Sequence, residues 1–216
     1  MLLHLLLLER TTLTNQIYPI NDYKFSSTDA VLFDANVWLY IYGPQGDRFL
    51  TANKTYTSAM RRIRSVKGRI FIDGFVMSEF INAYSRYFYN QLPADAKPVN
   101  FKTFRDSKRF KHIAELIAAK SRRVLKKCER IETGFTSANL DQILGDYQQG
   151  GVDFNDKILA ELCQANDLKL VTHDRDFSGE NLTIITGNPN WRNWGAFPLP
   201  ETRFFQKAGF LICYTN

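Results

Sequence analysis

Four short apolar runs rich in β-branched and aromatic residues, at 31–34, 69–72, 169–172 and 183–186, and a weaker fifth near 130–133, are spaced by longer stretches of helical periodicity. Strands alternating with helices are the signature of an α/β fold with a parallel sheet. Helices are predicted around 50–66, 76–90, 104–127, 138–148 and 154–166, with Gly68, Gly134 and Gly187 punctuating the joins. A chain of 216 residues is long enough for one sizeable core. No repeat, low-complexity tract or Pro/Gly-rich linker divides it. The expected layout is an N-terminal extension over 1–28 packed on the body, a body over 29–187, and a tail over 188–216 in which Trp191, Trp194 and Phe197 need burial.

The first run, VLFDANVWLY, carries a carboxylate, Asp34, near its middle. An ionised Asp in an apolar interior is costly unless paired or bound to a metal. Asp34 is therefore at a strand end that reaches solvent or in a site that needs its charge. Ligands of open parallel sheets bind beyond the carboxyl ends of the strands. Asp34 and Asn36 follow the first run, and Asp174 and Asp176 follow the fourth in THDRDF. In FVMSEFINAYSRYF, Glu79 falls inside the apolar stripe of Val76, Phe80, Ala83 and Tyr87. Asp156 lies in the first turn of the helix of DFNDKILAELCQAND, above Leu159, Ala160 and Cys163, and Asp153 is placed as its N-cap, with metal contact the alternative. Each acid alone has an ordinary explanation. Together, Asp34, Glu79, Asp156 and Asp174 would repel one another strongly unless cations fill the site, which reads as a divalent-metal centre.

Three histidines and three scattered cysteines exclude a zinc knuckle, a disulfide framework and a histidine-rich centre, so any metal is held by oxygen, pointing to Mg²⁺ or Mn²⁺. The cysteine usage fits a reducing cytoplasm. The opening MLLHLLLLER has no basic residues before its apolar run and is too short to span a bilayer, so a first strand or buried arm is expected there rather than a leader or membrane anchor.

Net charge is +6, and the segment 102–130 alone carries +8, leaving −2 for the remainder. Lys108, Arg109, Lys111, Lys120, Arg122, Arg123, Lys126 and Lys127 are candidate phosphate contacts; taken alone, the segment reads equally as a solvated helix face. Of the nearby aromatics, helical spacing puts Tyr84, Tyr87 and Phe88 in the core and leaves Tyr89 near the surface as a stacking platform for a base. His173 beside Asp174 reads as a satisfied, non-catalytic histidine.

FDANVWL, then SEF, then DFNDKILAELCQANDLKLVTHDRDF resembles the PIN-domain nucleases, over about 31–186. The last segment is the most specific, with an acid at a helix start, a short strand, then T-x-D-x-D-F. The resemblance implies a three-layer α/β/α sandwich with a central, mainly parallel sheet. It also implies Mg²⁺- or Mn²⁺-dependent hydrolysis of RNA phosphodiesters, with two ions held by Asp34, Glu79, Asp156 and Asp174. Asn36 and Thr172 match the polar residues that support the acids, and Asp176 an auxiliary acid. Many small members are toxins of toxin–antitoxin pairs, so the expected partners are single-stranded RNA and a protein antitoxin; a homodimer would bury the tail aromatics. This chain departs from the compact toxins in its long lead, its basic middle helix and its tail. The competing readings are a structure-specific DNA nuclease, for which no duplicated DNA-binding element is present, and a PIN-like module that binds RNA or protein without catalysis, against which all four acids stand. A serine or cysteine hydrolase lacks its G-x-S-x-G.

Overall fold

The computed structural model of the chain describes residues 15–177 and 180–193. Six strands form one sheet in the order β1-β6-β5-β2-β3-β4, every neighbouring pair parallel. The strands are β1 (Gln16–Pro19), β2 (Ala30–Phe33), β3 (Arg69–Ile72), β4 (Glu129–Arg130), β5 (Lys169–Val171) and β6 (Thr183–Thr186). The helices among the described residues are α1 (Ala35–Tyr42), α2 (Gln45–Arg48), α3 (Leu50–Ser65), α4 (Gly74–Asn90), α5 (Phe101–Arg105), α6 (Lys108–Leu125), α7 (Leu140–Gln148) and α8 (Phe154–Ala165). The result is an α/β fold with an all-parallel sheet, as the alternation of runs predicts.

Central position follows from composition. Val31, Leu32 and Phe33 of β2 and Leu170 and Val171 of β5 are fully buried, which suits strands covered on both faces. The chain leaves β2 toward β3 and β4, then returns to place β5 on β2's other side. Right-handed crossovers put α1, α3, α4 and α6, which pack on one another, on one face, and the α7–α8 pair on the other. The reversal of strand order between β2 and β5 makes their carboxyl ends the topological switch point of the sheet.

Three features differ from the sequence expectation. The strand of the run 31–40 ends at Asp34 as expected, but the rest of the run, which the sequence reading gave no element, is the helix α1, whose Val37 and Trp38 are as buried as the strand. The helix expected over 104–127 is two, because Asn100 caps α5 by accepting from Thr103 N and Ser107 restarts the chain as α6 by accepting from Phe110 N. The lead contributes β1, an edge strand paired along β6 from Gln16↔Thr183 to Pro19↔Thr186. The opening MLLHLLLLER lies outside the described residues, as do Trp194 and Phe197. Trp191 does not seek a partner: it is 5% exposed and part of the core, so this residue gives no argument for a dimer. Tyr89 is half-buried rather than displayed, donating its hydroxyl to Pro98 O at 3.0 Å and packing on Phe101 and Phe104.

Candidate metal centre at the carboxyl ends of β2 and β5

Asp34 sits where β2 becomes α1. Its backbone is extended (φ −64°, ψ 157°), its N–H donates to Val171 O of β5 at 3.0 Å, and its carbonyl takes the first helical bonds from Val37 and Trp38. The backbone is an N-cap, but the side chain does not cap the helix. Oδ2 instead accepts from Thr172 Oγ1 at 2.7 Å and from Asn36 Nδ2. The carboxylate is 6% exposed.

Thr172 and Asn36 tie the two strand ends together. The Thr172 hydroxyl donates to Asp34 and accepts from Asp174 N at 3.0 Å and Asn36 Nδ2 at 3.1 Å. Asn36 Oδ1 accepts from His173 N at 3.1 Å. Asp174 Oδ1 accepts from Asp176 N at 3.2 Å, closing a turn that leaves Asp174 half-buried and Asp176 exposed. Every hydrogen bond made by the Thr172 hydroxyl and the Asn36 amide thus bears on Asp34 or on the segment carrying Asp174.

The electrostatics are one-signed. Burial first, then the negative charges of Glu79 and Asp174, together push the Asp34 pKa up to about 7, against the hydrogen bonds from Thr172 and the Ala35 backbone. Glu79, on α4, is half-buried, as the stripe predicts. Asp156 stands half-buried in the first turn of α8. Asp153 caps α8, its Oδ1 accepting from Asn155 N at 2.9 Å. The donors at the strand ends are carboxylate, hydroxyl and amide oxygens, hard ligands suited to Mg²⁺ or Mn²⁺. Among the described residues no three His, Cys, Asp or Glu side chains stand close enough to chelate one ion together.

Two groups escaped the sequence reading. Asp73 follows β3 as Asp34 follows β2, and it caps α4 by accepting from Val76 N at 2.8 Å. It is 3% exposed, its other oxygen has no hydrogen-bond partner among the described residues, and burial raises its pKa. The strand–Asp–helix pattern of FIDGF, repeating that of LFDAN, was the available signal. The second is a pair of tyrosines around His173. The Tyr56 hydroxyl accepts from Gly187 N and shares a 2.8 Å hydrogen bond with His173 Nδ1, while the Tyr40 ring meets the imidazole edge-on. A side chain at Gly187 would collide with Thr55 (2.9 Å), so glycine permits this contact. Burial holds His173 neutral, with a pKa near 4.

The described residues contain no helix long and apolar enough to cross a membrane. The PIN domain family model matches residues 31–179, spanning β2 to the segment after Asp174. The chain belongs to the PIN domain family, a class of nucleases. It is similar in structure to VapBC2 from Rickettsia felis, crystallised with a DNA fragment from the promoter of that pair, at 17% identity and a TM-score of 0.46, covering 73% of this chain and 98% of that one. It is also similar to PAE2754 from Pyrobaculum aerophilum, at 16% identity and a TM-score of 0.41, covering 78% of this chain and 90% of the other. No curated protein sequence matches it.

Proposed function

We propose that the chain is a Mg²⁺- or Mn²⁺-dependent endoribonuclease whose acidic quartet is Asp34, Glu79, Asp156 and Asp174. The observation that carries this is Asp34: a carboxylate buried at the switch point, held by two neutral donors, with further acids acting on it and no salt bridge to it among the described residues. A bound divalent ion supplies Lewis acidity and an activated water for in-line attack on a phosphodiester. Asp34 is the principal ligand, with Asp174 and Asp156 completing the set directly or through water. Glu79 holds a second ion or orients the attacking water. Thr172 and Asn36 fix the carboxylate rotamer of Asp34, as hydrogen-bonding partners of metal ligands do. Asp176 and Asp153 are auxiliary acids at the rim. The basic segment from Lys108 to Lys127 grips the backbone without reading sequence.

The test is cleavage of a mixed-sequence single-stranded RNA by wild type and Asp34→Asn with Mn²⁺, Mg²⁺ or EDTA. Metal-dependent cutting that disappears in the variant supports the reading. Wild-type turnover by Asp34→Asn removes the mechanism, and RNA binding without cutting by both proteins turns the reading to a non-catalytic module. A single-stranded and a branched DNA in the same assay separate the structure-specific DNA nuclease. A toxin role with a protein antitoxin stays part of the proposal on the family resemblance; growth arrest on expression of wild type but not Asp34→Asn tests it.

A further inference from the structure

At the end of α1 away from Asp34, an open cleft of about 510 Å³ is lined by Ile41 and Tyr42 of α1, by Thr57, Met60, Arg61, Arg64 and Ser65 of α3, and by Lys127 just beyond α6. Its lining holds three cations and no carboxylate. None of Arg61, Arg64, Lys127 and the adjoining Arg123 forms a salt bridge among the described residues. This contrasts with Arg69, Lys157 and Lys169 nearby in sequence or sheet, each of which has an acid within reach. Arg64 and Arg123 both act on the Tyr42 hydroxyl, opposing the effect of its burial, so cations of α3 and α6 converge on one phenol. The Tyr42 ring is stacked on buried Trp38 at 6.2 Å, which fixes its position.

Four unpaired cations around a concave surface repel one another and are strongly hydrated; an anion with several acceptor oxygens relieves both. Arg61 and Arg64 are exposed and three apart on α3, so their planar donors can reach one phosphate together. Compensation of helix dipoles accounts for Arg64 and Arg123, which lie in the last turns of α3 and α6. It also covers Lys127, just past the end of α6, but not Arg61. From Asp34 to Tyr42 the helix rises about 12 Å, and α1 is buried along that length, so a strand reaching both ends passes over the helices that cover it.

We propose that this cleft, lined by Arg61, Arg64, Lys127 and Tyr42 with Arg123 adjoining, binds the phosphate backbone of the RNA strand at a distance from the acidic centre. The inference deepens the reading of the chain as a ribonuclease and rests on it for the identity of the polyanion. It also divides the basic segment: its C-terminal end joins α3 in a built site, while Lys108, Arg109 and Lys111 at its start meet the backbone more weakly, as a general charged face.

The experiment measures binding of a labelled 12-nucleotide single-stranded RNA in EDTA, where no cutting occurs, over a range of salt. The proteins are wild type, Arg61→Gln/Arg64→Gln/Lys127→Gln, the charge-matched Lys108→Gln/Arg109→Gln/Lys111→Gln, and the charge-keeping Arg61→Lys/Arg64→Lys. Circular dichroism confirms that each is folded. The expected result is about tenfold or more weaker binding by the cleft variant and a salt slope shallower by about 2, from about 0.7 per lost contact on a single strand. The Lys108 variant changes its slope by less than half of that, and the charge-keeping variant retains the wild-type slope. Equal losses in the two charge-matched variants overturn the proposal, since charge alone then decides. Competition by inorganic phosphate with an unchanged RNA slope in the cleft variant also overturns it, leaving a small-anion site. Cutting is read separately with Mn²⁺: a wild type that binds RNA through the cleft and fails to cut sinks the nuclease reading and leaves the cleft standing.

Discussion

β2 carries a buried aspartate near each end, and the fold treats them in opposite ways. Asp29, one residue before the strand, is 3% exposed and fully answered: Lys169 at the start of β5 forms an ion pair with Oδ1, and Ser26 N donates to Oδ2 at 2.8 Å. Asp34, one residue after the strand, is 6% exposed and receives hydrogen bonds from Thr172 and Asn36, neither of which brings charge. The charges that act on it most are those of Glu79 and Asp174, of its own sign. A protein able to pair one carboxylate with a lysine on the neighbouring strand had the means to pair the other. The amino end of β2 is closed by an ion pair, while at its carboxyl end Asp34 has hydrogen bonds but no ion pair among the described residues, which is the opening the proposed cation would fill.

The largest effect expected from that contrast is on chemistry. Asp34→Asn keeps the shape of the side chain and removes its charge, and cleavage should fall by at least about 10³-fold, the several kcal/mol that metal positioning supplies. Next comes stability against pH without metal. The Asp34 pKa is raised from 3.8 to about 7 in the fold, so the folded state holds a proton that the unfolded chain has released. The fold therefore loses stability as pH rises from about 4 through 7, by up to ~4 kcal/mol at the upper end. Urea titrations in EDTA should show Asp34→Asn gaining on wild type between pH 5 and pH 8; a gap that does not change with pH breaks the comparison.

Two smaller effects sharpen it. Thr172→Val removes a donor to Asp34 and an acceptor for Asp174 N and Asn36, and should lower turnover about 10- to 100-fold with a higher metal requirement. Asp29→Ala should leave the metal requirement of cleavage unchanged and lower stability by about 1–2 kcal/mol in a denaturant titration. That is less than for a fully buried pair, because Lys169 reaches solvent. If Asp29→Ala alters metal dependence as Thr172→Val does, the two ends are not distinct in function.

The same contrast shows what a sequence can and cannot disclose. The alternation of apolar runs with helical periods announces a parallel sheet, and T-x-D after the fourth run puts Thr172 and Asp174 at a strand end because spacing alone does so. Glu79 is visible because a charge inside an apolar stripe is anomalous. The strand end at Asp34 was legible, but the helix α1 that follows was not, since residues on both sides of Asp34 are equally buried and a short apolar run has no readable period. Asp29 passed unnoticed because its partner is 140 residues away. Arg61 and Arg64 carry no signal in the sequence, because only the fold brings the cleft residue Lys127, past the end of α6, beside α3. Ser107 was a helix start hidden within a stretch of good helix formers.

The most direct test of the account is thermal melting of wild type and Asp34→Asn at pH 8, in EDTA and with Mn²⁺, read without any substrate. In EDTA the Asn variant should melt higher. Mn²⁺ at 100 times its dissociation constant should stabilise wild type by about 2.7 kcal/mol and leave Asp34→Asn unmoved. Equal stabilisation of both proteins, or none of wild type, would contradict the claim that Asp34 is kept for a cation.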